Sequence, residues 1–535
     1  MSTSSRMKAC ALQIKCHLRR RRAALLVFLA QVDSQSKNPK VIVRHSLRAM
    51  SPQLRILNVT HVLPDRDLAA AYSPPPLPAD GLVELSFMDA PFADRAIPMR
   101  RLFFYDGPGV PPFPSLARSL RSSLAAALAV FPPLSGKLAH RPSSGGGVDV
   151  VVDCSPAAVS PGVRFVEAEY DGGIADMRLP ASARHEGESE AASLMQLGPE
   201  LDASQLPAPV LSVQVTRLAA AGGHEVVVGV AVHHGVADGH SVWQFIRAWA
   251  ALSRVQFSPS QVVADLAPPA FDRTPLRYPE ADELARKILR TVAPALPTIR
   301  SASPSLIPDH WRRTFLISAD EIQSLKQHIQ AQSQHPDAPP STYLAVSSLI
   351  WTSIARAKSG DDLAGDDGDA YFLVPVDFRR RLGPPIDDRY FGDCVVPCVA
   401  RAAAGVLLRA DDVDGGGAGG VSGLASAAAA IRDAIRAQPE CPVRAVEAWL
   451  EALRAAPRER FTFAGSSNRF MAYETDFGWG KPSRVELVSL FATELFLLLG
   501  AKEDGGVQVN AMLRPEHMEA FASNLARFSR PGNEA

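Results

Sequence analysis

One ten-residue segment limits the fold more than any other. EVVVGVAVHH, residues 225–234, is a nearly continuous run of β-branched and small apolar residues, which is typical of a strand buried on both faces of its sheet. After the short turn GVADG, apolar residues recur at helical spacing at Val242, Phe245, Ile246, Trp249 and Leu252. A strand, a turn and an amphipathic helix in this order predict an α/β fold.

The composition allows large cores. The chain has 535 residues, of which 47% are hydrophobic and 21% are charged, so it is globular rather than disordered. Lys plus Arg and Asp plus Glu both total 56, so no overall basic charge indicates a nucleic-acid partner. The longest apolar run near the N-terminus, residues 23–30, is far shorter than the roughly 20 residues that cross a bilayer. Six cysteines without a CxxC pair are too few for a disulfide framework and predict a reducing compartment.

Residues 1–49 form a segment of distinct composition. They hold eleven basic residues and one acidic residue, Asp33, and they fit a transit or signal peptide or a basic interaction arm. The interpretation we favour is a poorly ordered extension that is not part of the working protein. In this interpretation the working protein starts at Met50. The residues after Met50 alternate between apolar and polar, as expected of a first strand.

The body of the chain divides into two α/β domains with a linker between them. Residues 50–255 mix strands and helices, including a helix over 115–131. Residues 256–312 lose this regularity and carry nine prolines, which predicts a long crossover linker with at most one helix. Residues 313–535 resume the alternation. The elements predicted there are helices near 319–332, 341–357 and 424–437, strands at 371–378, 485–491, 494–501 and 507–513, and a terminal helix begun by Pro515.

Three low-complexity segments, beginning at residues 143, 359 and 411, predict solvated surface loops. The last of them, DDVDGGGAGG, lacks both the G-x-G-x-x-G spacing and the Lys-Ser/Thr pair of a phosphate-binding loop.

The candidate chemistry lies at the end of the buried strand, in HHGVADG. Successive strand side chains point to opposite faces, so His233 and His234 cannot both bind one metal ion. The sequence has no G-x-S-x-G motif between a strand and a helix, so it gives no sign of the nucleophilic serine of a serine hydrolase. What remains is an imidazole whose ordinary pKa of about 6.5 suits a general base, with the carboxylate of Asp238 and the turn glycines Gly235 and Gly239 nearby. A histidine that merely fills the core is the alternative.

Two motifs resemble those of a known enzyme family. HHGVADG resembles the HxxxDG motif of CoA-dependent acyltransferases, and DFGWGKP at 476–482 resembles the DFGWG motif of the plant BAHD acyltransferases. The order and separation of the two motifs match that family. Further similar stretches are residues 85–92, 101–105, 131–138, 211–216, 374–385 and 389–394. The resemblance runs from Met50 to the C-terminus and leaves residues 1–49 unmatched.

The resemblance implies a fold and a reaction. The fold is two chloramphenicol-acetyltransferase-like domains, each a mixed β-sheet flanked by helices, joined by a long crossover linker with a channel between them. In the reaction, His234 takes the proton from an acceptor hydroxyl as its oxygen attacks the thioester of an acyl-CoA, with no acyl-enzyme. General-base action of this kind contributes on the order of 10² to 10⁴ in rate. Acyl-CoA, with malonyl-CoA among the donors, is a co-substrate, and neither a bound cofactor nor a metal is expected.

The resemblance also implies structural roles for the other motif residues. Asp238, followed by Gly239, points away from the substrate and pairs with Arg379. Losing one member of a buried ion pair costs roughly 3 to 5 kcal/mol, enough to disturb the strand end that aims His234. The second motif is architectural, and its residues are Asp476, Phe477, Gly478, Trp479 and Gly480.

RYFGDC, residues 389–394, resembles the YFGNC motif of the branch that acylates flavonoids and other phenolic glycosides, often from malonyl-CoA. Asp393 replaces the usual Asn, and Asn468 stands where a proline is common. No malonate clamp is identifiable; Arg247 lies on the helix after the first motif, and its orientation is open.

The expected activity is therefore O-acyl transfer to a plant phenolic, a flavonoid or their glucosides. The alternatives are hydroxycinnamoyl or amine N-acyl transfer within the same family, a peptide-synthetase condensation domain, which leaves DFGWG unexplained, and a non-catalytic metabolite-binding relative. We expect a cytoplasmic monomer with small-molecule partners and without a nucleic-acid or membrane partner.

Overall fold

A computed structural model describes most of the chain after residue 53. The described residues are 54–72, 77–78, 80–93, 98–141, 150–173, 188–221, 224–254, 268–299, 311–333, 339–359, 368–409, 421–488, 494–503 and 505–526. The predictions for residues 1–49 lie outside these ranges, as do those for nearly all of the three low-complexity loops.

The described residues form sixteen strands in three sheets. The strands are β1 (Leu54–Val62), β2 (Leu82–Glu84), β3 (Pro98–Tyr105), β4 (Lys137–His140), β5 (Val150–Asp153), β6 (Val163–Tyr170), β7 (Ala208–Pro209), β8 (Leu211–Leu218), β9 (Glu225–His233), β10 (Trp311–Ile317), β11 (Asp369–Asp377), β12 (Val395–Ala403), β13 (Phe461–Ser467), β14 (Arg484–Leu487), β15 (Leu495–Gly500) and β16 (Val507–Leu513).

Twelve α-helices are described with them. They are α1 (Arg66–Tyr72), α2 (Phe113–Val130), α3 (Pro156–Val159), α4 (Glu188–Leu197), α5 (Gly239–Arg254), α6 (Ala281–Val292), α7 (Ala319–Ala331), α8 (Thr342–Lys358), α9 (Ala404–Leu407), α10 (Gly423–Arg436), α11 (Pro442–Ala455) and α12 (Pro515–Ala526). Helices α2 and α5 pack against each other, as do α8 and α12. None of the described helices combines the length and the apolar character needed to cross a bilayer.

Two six-stranded sheets form the framework. Sheet 1 has the order β1-β6-β8-β9-β3-β14, and sheet 2 has the order β10-β16-β15-β13-β11-β12. Both are mixed, because β6 runs parallel to β8 in sheet 1 and β13 runs parallel to both β11 and β15 in sheet 2. A small antiparallel sheet, β2-β5-β4-β7, completes the fold. The predicted α/β fold with two mixed sheets and flanking helices is confirmed.

Strand β14 joins the two large sheets. It follows the DFGWG segment late in the chain, yet it pairs antiparallel with β3 at the edge of sheet 1. Its buried Glu486 forms an ion pair with Arg312 of β10 and accepts a hydrogen bond from Asn510 Nδ2 of β16 at 2.9 Å, both in sheet 2. Burial would raise the pKa of Glu486, but Arg312 and Arg484 lower it below its ordinary value. This charged cluster therefore ties one sheet to the other.

Most of the elements predicted from periodicity have the expected bounds. The helix predicted at 115–131 is α2, and the strand predicted at 225–234 is β9, which ends one residue earlier. The proline-rich segment contains the single α-helix α6 among its described residues. The division at residues 255 and 312 stays a prediction, since 255–267 and 300–310 lie outside the described ranges.

Candidate active site

A cavity of about 1130 Å³ is lined by residues of both large sheets. Sheet 1 contributes Met99 from β3 and Leu487 from β14, whereas sheet 2 contributes Leu373 from β11 and Phe463 from β13. His234 lies on its wall. The histidine predicted from the sequence therefore borders a cavity that both large sheets line.

The end of β9 determines where the two histidines point. His233 is the last residue of the strand, is 1% exposed, and its Nδ1 accepts the backbone N–H of Gly235 at 3.1 Å. His234 begins a short 3₁₀ turn, His234–Val236, and its side chain stays 20% exposed. A β-carbon at Gly235 would lie 3.3 Å from His233 Nδ1 and 3.4 Å from the backbone of Ala93, so this tight turn favours glycine.

A second 3₁₀ turn, Ala90–Phe92, forms one wall of the His234 site. The ring of Phe92 stacks on the imidazole of His234, with the centroids 3.9 Å apart and an angle of 10° between the planes. Phe92 also contacts Trp449 of α11, with centroids 6.2 Å apart. The imidazole therefore lies against the Phe92 ring at the cavity wall, and this stacking restricts its rotation.

The Nδ1 atom of His234 faces a carboxyl group from the other half of the chain. It lies 3.2 Å from Oδ1 of Asp393, whose side chain has no exposed surface. A second fully buried carboxyl, Asp89, accepts the backbone N–H of Asp393 at 2.9 Å and that of Ser86 at 2.7 Å. Arg273 Nη2 is 3.7 Å from Asp89 Oδ2. Two buried carboxyls therefore share one nearby guanidinium.

These surroundings set the charge of both groups. Burial raises the pKa of Asp393 well above its ordinary value, and the charges of Asp89 and Asp238 raise it further. Burial also lowers the pKa of His234 to about 4, and Arg101 acts in the same direction. At neutral pH the imidazole is therefore neutral, and the raised pKa of Asp393 favours the protonated form of the carboxyl beside it.

Asp238 and Arg379 form the ion pair expected from their motif positions. Arg379 Nη1 lies 2.8 Å from Asp238 Oδ2, and both side chains are 1% exposed. Asp238 caps α5 through the N–H of Ser241 at 2.9 Å and accepts the N–H of Cys394 at 3.1 Å. Arg379 Nη2 donates to the carbonyl of Gly392 at 3.2 Å. Burial opposes ionisation of Asp238, but Arg379 and the N–H donors hold its pKa below the ordinary value.

The pair thus fixes the segment that carries Asp393. The pair holds both chain neighbours of Asp393 by hydrogen bonds. Arg379 donates to the carbonyl of Gly392, and Asp238 accepts the N–H of Cys394. The same pair anchors the start of α5 directly after the His234 turn. Asp238 and Gly239 line the cavity together with His234, whereas Arg379 lies behind them.

The DFGWG loop lies at the other end of α5. Asp476 Oδ1 accepts the N–H groups of Gly478 at 2.7 Å and Gly480 at 2.9 Å, and both glycines have a positive φ, +107° and +101°. The carbonyl of Phe477 accepts the hydroxyl of Ser253 at 2.8 Å, close to the last residue of that helix. Trp479 is 7% exposed and packs edge-on against a buried tyrosine of β3.

None of the five DFGWG residues lines the cavity. Helix α5 has 16 residues and is therefore about 24 Å long. His234 is next to one end of this helix and the loop is next to the other, so the two motifs are linked through the helix and not through the cavity.

Several site residues were not identified from the sequence. Arg247, on the helix after the first motif, lines the cavity. Phe92 and Asp89 lie in a stretch, 85–92, that resembled the family as a whole, yet nothing local assigned them a contact with the histidine. No sequence pattern indicated Arg273 or Arg101. Among the described residues no group of three or more His, Cys, Asp and Glu side chains is arranged to hold a metal ion.

Comparison with known proteins assigns the family. A model described as the transferase family matches residues 74–527, which is most of the chain. The chain belongs to this family, that of the BAHD acyltransferases. It is therefore an acyltransferase. The resemblance noted from HHGVADG and DFGWG is confirmed.

The relatives include malonyltransferases. Phenolic glucoside malonyltransferase 2 of Arabidopsis thaliana is 27% identical over 453 residues, which cover 82% of this chain and 92% of the relative. Malonyl-coenzyme:anthocyanin 5-O-glucoside-6'''-O-malonyltransferase of Salvia splendens is 27% identical over 473 residues, which cover 84% and 92%. The crystal structure of vinorine synthase superposes with a TM-score of 0.64 at 18% identity, covers 89% of this chain and 100% of that chain, and shows the same fold.

Proposed function

We propose that this BAHD enzyme transfers an acyl group from acyl-CoA to a hydroxyl of a phenolic compound, a flavonoid or one of their glucosides. The observation that carries the proposal is the partly exposed imidazole of His234 on the wall of a cavity lined by both sheets. The relatives named as malonyltransferases of phenolic and anthocyanin glucosides make malonyl-CoA the first donor to test. The cavity, about 1130 Å³, is large enough for a donor and an acceptor together.

His234 acts as the general base. Its Nδ1 is buried and lies 3.2 Å from Asp393, so Nε2 is the nitrogen that takes the proton from the acceptor hydroxyl. When Asp393 is protonated, its carbonyl oxygen can accept an N–H group at Nδ1 from this distance, and that tautomer leaves Nε2 unprotonated. An ionised Asp393 is not required for this. The neutral amide of an asparagine would do the same, which explains how Asp393 replaces the usual Asn of the resembled motif.

The reaction proceeds in one covalent exchange. The acceptor oxygen forms a bond to the thioester carbonyl carbon while its proton passes to Nε2. The tetrahedral intermediate then collapses, the carbon–sulfur bond breaks, and the proton on His234 neutralises the departing CoA thiolate. No side chain becomes acylated. The imidazole contributes on the order of 10² to 10⁴ in rate.

The other motif residues position this base. The Asp238–Arg379 pair holds the start of α5 and the segment around Asp393, so it maintains the distance between Asp393 and His234. The DFGWG loop fixes the far end of the same helix. Neither group is assigned contact with the reacting atoms.

The test is an acyl-transfer assay on purified protein. Malonyl-, acetyl- and hydroxycinnamoyl-CoA are each offered with phenolic glucosides, free flavonoids and an amine acceptor, and free CoA thiol and product mass are measured. The proposal predicts one CoA released per ester formed and, by intact-protein mass, no acyl adduct when a donor is given alone. Transfer only to the amine would favour the N-acyltransferase alternative. Absence of transfer with every pair would favour a non-catalytic relative.

Two further expectations stay predictions: a cytoplasmic location and a monomeric state. Sedimentation of the purified protein tests the second of them directly.

A further inference from the structure

An arginine on β3 lies in the cavity under unusual conditions. Arg101 is 4% exposed and lines the cavity that contains His234. Residues 99, 101, 103 and 105 alternate with those of the opposite face of the strand, so Arg101 shares its face with Met99, which also lines the cavity. Its cross-strand partner Leu487 is a third lining residue. The side chain therefore belongs to the cavity wall and not to the outer surface.

The guanidinium of Arg101 has weak partners only. Its Nη2 lies 3.9 Å from the sulfur of Met99, and its Cζ is 5.5 Å from the ring centre of Trp243. Nε has no hydrogen-bond acceptor among the described residues, and no described carboxylate forms an ion pair with it. Burial lowers the pKa of Arg101 to about 10, so it remains charged at neutral pH.

A buried charge without a counter-charge is unfavourable. Ionised side chains in protein interiors are ordinarily paired, because leaving water costs each of them several kcal/mol. Other arginines of the same cavity differ in this respect. Arg380 pairs with Asp388 at 2.6 Å, and Arg469 is exposed to solvent. Arg101 combines full burial with an unmet charge, which favours an anionic ligand in the cavity.

Such an anion would lie in the same cavity as His234. Arg101 and His234 both line this cavity, and β3 pairs with β9, the strand that ends directly before His234. A planar guanidinium matches a carboxylate through two parallel hydrogen bonds. The phosphates of CoA are distant from the thioester and need no buried site.

We propose that Arg101 binds the free carboxylate of a dicarboxylic acyl group, such as malonyl, and so selects this donor over neutral acyl-CoA. The inference rests on the proposed function, since it places the thioester of the donor beside His234. The carboxylate of a malonyl group is separated from the thioester carbonyl by one methylene, which keeps both groups within one part of the cavity. Arg101 is thereby a specificity-determining residue and not the base.

Binding is the first test, because it requires no turnover. In a His234→Ala background, which removes the base, the dissociation constants of malonyl-CoA and acetyl-CoA are measured by calorimetry. Malonyl-CoA should bind at least about tenfold more tightly, as one charge-assisted contact provides. Adding Arg101→Met should abolish this preference, and adding Arg101→Lys should restore part of it. Equal preference with and without Arg101 overturns the proposal.

The matched control is Arg100→Met. Arg100 is the neighbouring buried arginine, points to the opposite face of β3, and donates to the carbonyl of Pro199 at 3.2 Å. This variant should keep the ratio of the two dissociation constants, even if it lowers the fraction of folded protein. A similar loss of preference in both variants would mean that disturbing β3 is sufficient, and would overturn the assignment to Arg101.

Kinetics then separate the two possible sources of the carboxylate. With His234 intact, Arg101→Met should lower the ratio of kcat/KM for malonyl-CoA to kcat/KM for acetyl-CoA at least about tenfold. A loss seen only with a carboxylate-bearing acceptor, and not with its methyl ester, would assign the anion to the acceptor and overturn the donor assignment. If the wild-type protein prefers malonyl-CoA in binding but transfers nothing, the proposed reaction fails while the carboxylate site stands.

Discussion

The Nδ1 atom of His234 lies 3.2 Å from Oδ1 of Asp393, a carboxyl that has no exposed surface. Burial and a neighbouring carboxyl raise the pKa of Asp393 well above its ordinary value, which favours the neutral acid beside the imidazole. The arrangement differs from a triad, in which an ionised carboxylate stabilises the imidazolium. Here the carboxyl would orient the ring without adding a charge.

Replacement of Asp393 distinguishes these two roles. Asp393→Asn keeps a neutral carbonyl oxygen beside Nδ1, and we expect kcat within about threefold of the wild-type value. Asp393→Ala removes the acceptor, and we expect a larger loss, on the order of tenfold or more, because general-base catalysis depends on orientation. Steady-state kinetics with one donor measure both. An asparagine variant as inactive as the alanine variant would show that an ionised carboxylate is needed.

The pH dependence follows from the lowered pKa of His234. The base works when it is neutral, and burial lowers its pKa to about 4. We therefore expect kcat/KM to stay flat as the pH falls from 8 to about 5 and to decline only nearer pH 4. An acid limb centred near 6.5, the ordinary histidine value, would contradict the lowered pKa of His234.

Folding must be followed in the same experiment. His233 also has its pKa lowered to about 4 by burial. The unfolded chain takes up protons near pH 6.5 while the folded chain resists them, so stability present above pH 6.5 is lost progressively toward pH 4. Circular dichroism at each pH separates acid unfolding from protonation of the base.

The buried ion pair of Arg379 and Asp238 predicts a large loss of stability on truncation. Arg379→Met leaves Asp238 buried without its counter-charge, and the free energy of unfolding should fall by about 3 to 5 kcal/mol. The neighbouring Arg380 offers a matched control, because its pair with Asp388 is solvent-exposed. Arg380→Met should leave the free energy of unfolding nearly unchanged. Urea denaturation of the three proteins measures the difference; equal effects would argue against a structural role for the pair.

Gly478 of the DFGWG loop tests the architectural role of that motif. Its φ of +107° is unfavourable for any residue with a β-carbon, although the nearest atom to such a carbon is 3.4 Å away. Gly478→Ala should therefore lower the free energy of unfolding by about 1 to 3 kcal/mol through backbone strain alone. Gly107→Ala is the control, since its β-carbon would meet nothing within 4 Å and its φ is not positive. A stable Gly478→Ala protein that has lost activity would point to a direct role of the loop in the reaction.

Local pattern predicted the two elements on either side of the first motif. A continuous apolar run and a helical repeat were sufficient for β9 and α5, because each signal lies within one element. Strand β12, which contains Pro397, was not among the predicted elements. The structure places β12 at the edge of sheet 2, where a proline is tolerated.

The partners of His234 could not be predicted in the same way. Asp89 and Asp393 are 304 positions apart in the chain, and only folding brings them together. Arg101 lies in β3, a strand that is buried along its whole length. Its position on the cavity wall follows from the face of β3 that borders the cavity, which the local sequence does not specify. The Asp238–Arg379 pair could be anticipated, but only through the resemblance of two motifs.

The central claim is that the imidazole of His234 removes the acceptor proton. The direct test is kcat/KM of His234→Ala with a donor and acceptor that the wild-type protein uses, at pH 7, with donor binding and circular dichroism confirming an intact fold. We predict a fall on the order of 10² to 10⁴ with donor binding retained. A folded, donor-binding His234→Ala protein that keeps more than about a tenth of wild-type activity would contradict it.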